Sequence, residues 1–225
     1  MVPGKQPLGN VSVSKTSDLR KGLLLYWVAP FISRNLATNH ALTIGGQPTT
    51  SINSNSNRIV TFDSTSEWVT GNLPLSINST QMSILVKCSW SYVERNPLLS
   101  KDGRFILWDE RSSAGSLCLT YWHSNGTVYN YTFNSATVGN SGTYGVIVSE
   151  GSTTKCYKDG VDIYSSGNAW FSQSRADNPV YIGNHTGGSY TLNGTMEFAC
   201  VWDRALCSAE LESLYLDPYQ LLIPA

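Results

Sequence analysis

From Gln81 to Trp90 the side chains change character at nearly every step: Met82, Ile84, Val86, Cys88 and Trp90 share one parity, while Gln81, Ser83, Lys87 and Ser89 make up most of the other. Successive strand residues point to opposite faces, so this alternation predicts a half-buried β-strand and conflicts with a helix, whose apolar positions recur every three or four residues. Comparable runs occur at Leu23–Val28, Arg58–Phe62, Arg104–Trp108, Leu117–Trp122, Val128–Phe133, Tyr144–Val148, Thr154–Tyr157, Val161–Tyr164, Val180–Gly183 and Thr195–Trp202. Turn formers separate them: Lys101-Asp102-Gly103, Ser124-Asn125-Gly126, Lys158-Asp159-Gly160 and Gly187-Gly188. About a dozen short strands spaced in this way predict an antiparallel two-sheet sandwich or a barrel.

The pair Asp159-Gly160, set between two such runs, predicts a tight hairpin, because both residues tolerate the positive φ of a primed turn. Asp159 is therefore read as a turn residue and not as a catalytic acid. One helix is expected, Ser208–Leu216, with Leu211, Leu214 and Tyr215 on one side and a stop at Asp217-Pro218, since the residue before proline is pushed out of the helical region. No repeat or low-complexity linker interrupts the middle of the chain. The expected organisation is an extended arm over 1–21, one domain over 22–218 and a short C-terminal tail over 219–225.

Only 14% of the residues are charged, against about 25% in an average soluble protein, and the surface is filled out instead by 30 Ser, 19 Thr and 17 Asn. With 15 Lys+Arg against 16 Asp+Glu the formal net charge is −1, which supplies no basic field for nucleic acid. Few like charges oppose contact between copies, so self-association is expected. The start MVPGKQPLGN lacks the apolar stretch of a secretory signal peptide, and the longest apolar run, Leu23 to Ile32, is broken by Pro30 and is about half of what crosses a bilayer. The expectation is folding in the cytoplasm with no membrane partner. Five cysteines, Cys88, Cys118, Cys156, Cys200 and Cys207, show no C-x-x-C spacing and are expected as free buried thiols, with a Cys200–Cys207 bridge as the alternative.

Chemistry is thinly represented. His40, His123 and His185 sit in polar, loop-like stretches, no serine stands in a G-x-S-x-G elbow, and zinc spacing is absent. A glycosidase on a sandwich needs two carboxylates facing across a cleft. Here Asp109 and Glu110 are adjacent, Glu94 and Asp102 stand alone, and Glu210 and Glu212 lie on the helix. No enzymatic activity and no required cofactor are expected. Calcium is a weaker possibility, with Asp63 and Glu67 as the candidate ligands beside Ser64 and Ser66, although a tight turn also explains that segment. Aromatic rings are the better candidates, because sugars stack their C–H faces on Trp and Tyr. Tyr129 and Tyr131 share a strand face, and Trp108, Trp122, Trp170 and Tyr190 lie near loop edges; these six are the candidate carbohydrate-binding residues. Trp27, Trp68, Trp90 and Trp202 fit core alternation instead.

Several segments together resemble the concanavalin A-like, laminin-G-type jelly rolls in the form found in bacteriophage and prophage proteins. The stretch LRKGLLLYW is similar to the family's first strand "p-L-x-x-G-L-V-x-x-W", RIVTFDSTSEWV to "a-L-x-F-D-G-S-x-D-Y-V", MSILVKCSW to "T-I-S-A-W-V-K" and CYKDGVDIY to the "L-Y-V-D-G" hairpin. The most specific piece runs from Pro179 to Leu222, where WDRALCSAELESLYLDPYQLL resembles "W-x-R-A-L-S-x-x-E-I-x-x-L-Y-x-x-P-Y-Q-L-F". Two departures stand out. Ser64 replaces the usual glycine, and Cys207 replaces the helix-capping serine, so that either Ser208 caps instead or the first turn loses on the order of 1 kcal/mol. The resemblance implies an all-β jelly-roll sandwich with one short C-terminal helix. It also implies a non-enzymatic virion structural protein, a capsid decoration or tail or fibre component, displayed on the virion surface among other virion proteins. The alternative it implies is a carbohydrate-binding module attaching to host or environmental glycans, with a glycoside hydrolase third.

Overall fold

The computed structural model describes residues 11–14, 17–29, 31, 33–63, 66–71, 81–91, 95–101, 104–110, 116–122, 127–133, 140–149, 154–166, 179–185 and 190–224. Strands account for most of them. The first group comprises β1 (Val11–Val13), β2 (Leu23–Val28), β3 (Arg34–Asn35), β4 (His40–Ala41), β5 (Thr43–Gly45), β6 (Thr49–Ile52), β7 (Arg58–Phe62) and β8 (Trp68–Gly71). The long central strands follow as β9 (Gln81–Trp90), β10 (Asn96–Lys101), β11 (Phe105–Glu110), β12 (Ser116–Trp122), β13 (Val128–Thr132) and β14 (Ser141–Ser149). After them come β15 (Thr154–Lys158), β16 (Val161–Ser166), β17 (Val180–Ile182), β18 (Asn184–His185), β19 (Tyr190–Thr191), β20 (Gly194–Trp202) and β21 (Leu222–Pro224), with helix α1 (Ser208–Leu216) before the last.

These strands form two antiparallel sheets in a concanavalin A-like jelly-roll sandwich. The front sheet runs β13-β12-β11-β10-β17-β8-β5, and the back sheet runs β16-β15-β14-β9-β20-β7-β6, with β2 alongside the second half of β20. Between them lies the main core. Met82, Ile84, Val86, Cys88 and Trp90 of β9 face it as the alternation predicts, opposite Phe105, Leu107, Leu119 and Tyr121 of the front sheet. The Asp159-Gly160 hairpin also forms as expected, with φ of 50° and 82°, and the Asp159 carboxylate accepts the Thr143 N–H at 2.8 Å. The turns predicted at 102–103, 124–126 and 187–188 lie outside the described residues. Among the described residues no helix is long and apolar enough to cross a membrane.

The back sheet departs from the half-buried expectation. Ser83 and Leu85, on the face of β9 away from the main core, are buried as well, because a second apolar cluster covers that side. It is built from Tyr26, Leu85, Ile147, Phe198, Trp202, Leu211, Leu214, Tyr219 and Leu221. Helix α1 lies on it through Leu211 and Leu214, each contributing about 1.5–3 kcal/mol by burial. Trp68 is a correction of a different kind. It is half-buried on the outer side of the front sheet, over the bare backbone of Gly45 and edge-on to Tyr181 at 6.3 Å. Cys207 is a third correction: it is exposed, while the other four thiols are buried, and all five are free. Burial pushes the Cys88, Cys156 and Cys200 thiols well up, which keeps them protonated.

Side-chain bonds to the main chain and to one another tie the closing segment down. Trp202 Nε1 donates to the Leu19 carbonyl at 2.7 Å, and Tyr26 Oη to the Pro218 carbonyl at 2.6 Å. Cys207 takes the N-cap position and Ser208 is already helical. What secures the first turn is Glu210, whose Oε2 accepts the Cys207 N–H at 2.8 Å while Arg204 grips the same carboxylate with two bonds of 2.6 and 2.9 Å. Those contacts, the Arg204 bonds first, lower the Glu210 pKa below the usual carboxylate range. At the other end Gln220 Nε2 donates to the Ser213 and Asp217 carbonyls at 2.8 and 2.9 Å, satisfying acceptors that a helix terminus leaves bare.

A bulge on β20 completes the arrangement. Met196 and Ala199 face the main core and Phe198 faces the second cluster, with the register to β9 shifting between Met196 and Phe198. The extra residue, Glu197, is buried and accepts from Asn53 Nδ2 at 3.3 Å, Asn57 Nδ2 at 3.0 Å, Lys87 Nζ at 3.1 Å and Tyr219 Oη. Replacing Tyr219 by Phe leaves that carboxylate one donor short. Chemical denaturation is expected to show Y219F destabilised by about 1–3 kcal/mol, and a loss below a few tenths of that range would mean Glu197 does not anchor the closing turn.

Candidate functional site

The outer face of the front sheet is the side that neither the main core nor the second cluster uses. Alternation places Ile106 and Trp108 of β11 on it, with Cys118, Thr120 and Trp122 of β12 and Asn130 and Thr132 of β13. Trp108 pairs with Cys118, and Trp122 lies four residues further along β12, about 13 Å away on the same face by strand rise. Between them Thr120 Oγ1 donates to Asn130 Oδ1 at 2.7 Å. The short hairpin β18–β19 is held beside β10 by Ser100 Oγ donating to the Asn184 carbonyl at 2.8 Å, with Asn184 Nδ2 bonded to Thr191 Oγ1 at 3.1 Å. That placement brings Tyr190 and His185 to the Trp108 end of the face.

Arg95 joins the two parts. It precedes β10 in the left-handed region, φ 56°, and its guanidinium carbon lies 5.3 Å from the centre of the Trp108 ring and 5.2 Å from that of Tyr190. Nη1 donates to Tyr190 Oη at 3.0 Å. His185 stacks on Tyr190 with centroids 6.5 Å apart and planes inclined by 19°. Arg95, Trp108, His185 and Tyr190 are all half-buried. Trp108 Nε1 is buried and meets no acceptor among the described residues. Two half-exposed rings clamped by a cation form a firm apolar platform next to polar donors, the chemistry that suits a sugar ring.

Of the six aromatics singled out from sequence, Trp108 and Tyr190 meet, and Trp122 shares their sheet face. Tyr129 and Tyr131 do share a face, but it is the inner one. Both stack on Tyr121, at 5.1 and 5.5 Å, and Tyr131 is buried with its hydroxyl 3.2 Å from that of Tyr121. Trp170 lies outside the described residues. Asp63 is exposed, while Glu67 is buried with its Oε2 accepting the Asp63 N–H at 2.6 Å, which is the work of a turn brace. No group of three or more His, Cys, Asp or Glu side chains that could hold a metal occurs among the described residues. Sequence reasoning missed Arg95, a lone arginine in a polar stretch whose strained φ no pattern reveals.

Two acidic positions occupy other surroundings. A recess of about 250 Å³ on the back sheet, lined by Asn53, Ile59, Lys87, Ser89, Ser141 and Thr195, has Glu197 at its floor, but that carboxylate is already engaged as described. Asp109 is buried on the inner side of β11, opposite in direction to Trp108. Trp90 Nε1 donates to its Oδ2 at 3.0 Å, and its Oδ1 has no partner. Burial raises the Asp109 pKa above the usual carboxylate value, opposed by the Trp90 and Asn96 hydrogen bonds.

A family model described as the concanavalin A-like lectin/glucanases superfamily matches residues 64–212. No curated protein matches the chain in sequence. Among solved structures the fold is shared with the binding domain of Paraclostridial Mosquitocidal Protein 1, at TM-score 0.67 and 11% identity over 88% of this chain and 52% of that one. It is shared too with the receptor binding domain of botulinum neurotoxin C/D mosaic serotype, at TM-score 0.62 and 13% identity over 86% and 51% of the respective chains. The botulinum neurotoxin serotype D binding domain gives TM-score 0.64 and 12% identity over 88% and 52%. The chain thus spans about half the length of the solved structures it matches, and at these identities the likeness concerns the fold.

The environment of Asp109 generates a pH prediction. A carboxyl whose folded pKa is raised favours the folded state while protonated, and that contribution is lost as pH rises from the unfolded value, about 3.9, through the folded one. Asp109→Asn keeps an acceptor for Trp90 and cannot ionise. Thermal unfolding from pH 3.5 to 7 is expected to show D109N gaining on the unmodified chain as pH increases; a stability difference that stays flat across this range would contradict the assignment.

Proposed function

Because the chain belongs to the concanavalin A-like lectin/glucanases superfamily, we propose that it is a glycan-recognition domain that binds without chemistry, through the outer face of its front sheet. The observation that carries this reading is the meeting of Trp108 and Tyr190 over Arg95. Aromatic faces take up the C–H faces of a sugar ring, and ring and guanidinium edges fix its orientation. Trp122, half-buried, and Asn130, exposed, lie further along the same face, while Ile106, Cys118 and Thr120 between them and Trp108 are buried. The solved structures of like fold are named as binding or receptor-binding domains, which agrees with recognition as the task. The nearest buried acids have other work: Glu197 accepts four donors within its own network, and Asp109 points into the core.

A second reading gives this recognition domain a place on a virion, as the head of a capsid decoration or tail or fibre protein that also contacts its own copies. It rests on the phage-type motif of the closing segment, four residues of which have structural tasks here: Trp202 on Leu19, Arg204 on Glu210, Tyr219 on Glu197 and Gln220 on the helix end. Retention of the purified chain by phage particles stripped of it is the expected result, and indifference to such particles removes this second reading alone.

Glycan-array screening followed by affinity electrophoresis tests the first. Tyr190→Ala and Trp108→Ala are each expected to lower affinity about tenfold or more, whereas Tyr129→Ala, on the inner face, is expected to act on stability. Binding unaffected by Tyr190 and Trp108 moves the site elsewhere, and the absence of binding to any glycan defeats the reading.

A further inference from the structure

Among the described residues Arg95 is held differently from the cations that pair with carboxylates. Ion pairs join Lys21 to Asp18, Lys87 to Glu197, Lys155 to Asp162 and Arg204 to Glu210. Arg204 shows what a guanidinium does when an acid is provided: its two terminal nitrogens close on the two oxygens of Glu210 at 2.9 and 2.6 Å. Arg95 is half-buried like Arg204, yet no carboxylate of the described residues pairs with it. Its one hydrogen bond among the described residues is the 3.0 Å contact from Nη1 to the neutral Tyr190 hydroxyl. A guanidinium carries five N–H donors, so most of its hydrogen-bonding capacity is unspent. The rings of Trp108 and Tyr190, at 5.3 and 5.2 Å, hold the cation in position without neutralising it.

On the reading of this face as a glycan site, we propose that Arg95 receives the carboxylate of an acidic saccharide. A carboxylate matches the donor fork of arginine in a way that a hydroxyl does not, and the pair strengthens as the site is partly shielded from water. The remainder of the acidic sugar ring is neutral and has an apolar face for the Trp108 or Tyr190 ring. Arg95 is thereby the residue that sets specificity, and the aromatic rings supply affinity that acidic and neutral glycans share.

The test uses the full chain and paired probes: sialyllactose with lactose, and oligogalacturonates with their carboxyl-reduced counterparts, titrated calorimetrically at low and high salt. The expected result is a preference of about tenfold or more for the acidic member of at least one pair, weakened by salt. Arg95→Met should abolish the preference while leaving weak binding of both members, and Arg95→Lys should retain only part of it. Equal binding of acidic and neutral members overturns the proposal and leaves the glycan reading standing, whereas binding of no glycan on these pairs or a wider array overturns both. If Arg95→Met lowers the melting temperature and weakens both members alike, Arg95 is a clamp for the β18–β19 hairpin and the proposal falls.

Discussion

The central strands of the back sheet are apolar on both sides, and a sheet of that kind is stable only when both of its faces are covered. The sandwich covers one. The other is met by the chain's own closing segment, which lays Leu211, Leu214, Tyr219 and Leu221 over Leu85, Ile147 and Phe198. The cover must stay in register with the sheet beneath, and a carboxylate enforces it: Glu197 gathers donors from the β6–β7 turn, from β9 and from the closing turn at one point. A buried charge is costly unless fully bonded, so each partner is needed for the others to be tolerable.

This division of labour leaves the two sheets with different outer faces. With the back sheet committed to structure over much of its outer surface, the front sheet is the one left with aromatic rings at half exposure. The proposed glycan reading rests on the rings of Trp108 and Tyr190 on that face, both held beside the Arg95 guanidinium. Arg204 is satisfied by Glu210 within the chain, whereas Arg95 meets neutral groups among the described residues, and the acidic-saccharide proposal rests on that contrast.

How much of this the sequence announces depends on which force dominates at each position. Strands such as the apolar run of β2 and the alternating β7 are legible to the residue, as are the hairpin at Asp159-Gly160 and the helix Ser208–Leu216. β10 escapes because it reads Asn-Pro-Leu-Leu-Ser-Lys, with Pro97 at an irregularity in its pairing to β11 and every residue buried. β5 and β6 escape because they are short and rich in Thr and Ser. In the site, parity alone puts Tyr129 and Tyr131 together but does not say which side of the sheet is inward. Arg95 carries no pattern at all, since its role comes from a hairpin distant in sequence arriving beside it. Glu197 looks like an ordinary outward residue of an alternating strand, and only the bulge that shifts the register turns it into the hub of the back sheet.

The pairing of β1 with β21 has a mechanical consequence. Val11 lies opposite Pro224 and Val13 opposite Leu222, so the two strands enter and leave the domain side by side, about 5 Å apart. A load applied between these two ends would fall on the ribbon's hydrogen bonds one after another and peel it open, where a load along the strands would shear all of them together. The ribbon would therefore act as a mechanical fuse, giving way at low force before the load reaches the sandwich.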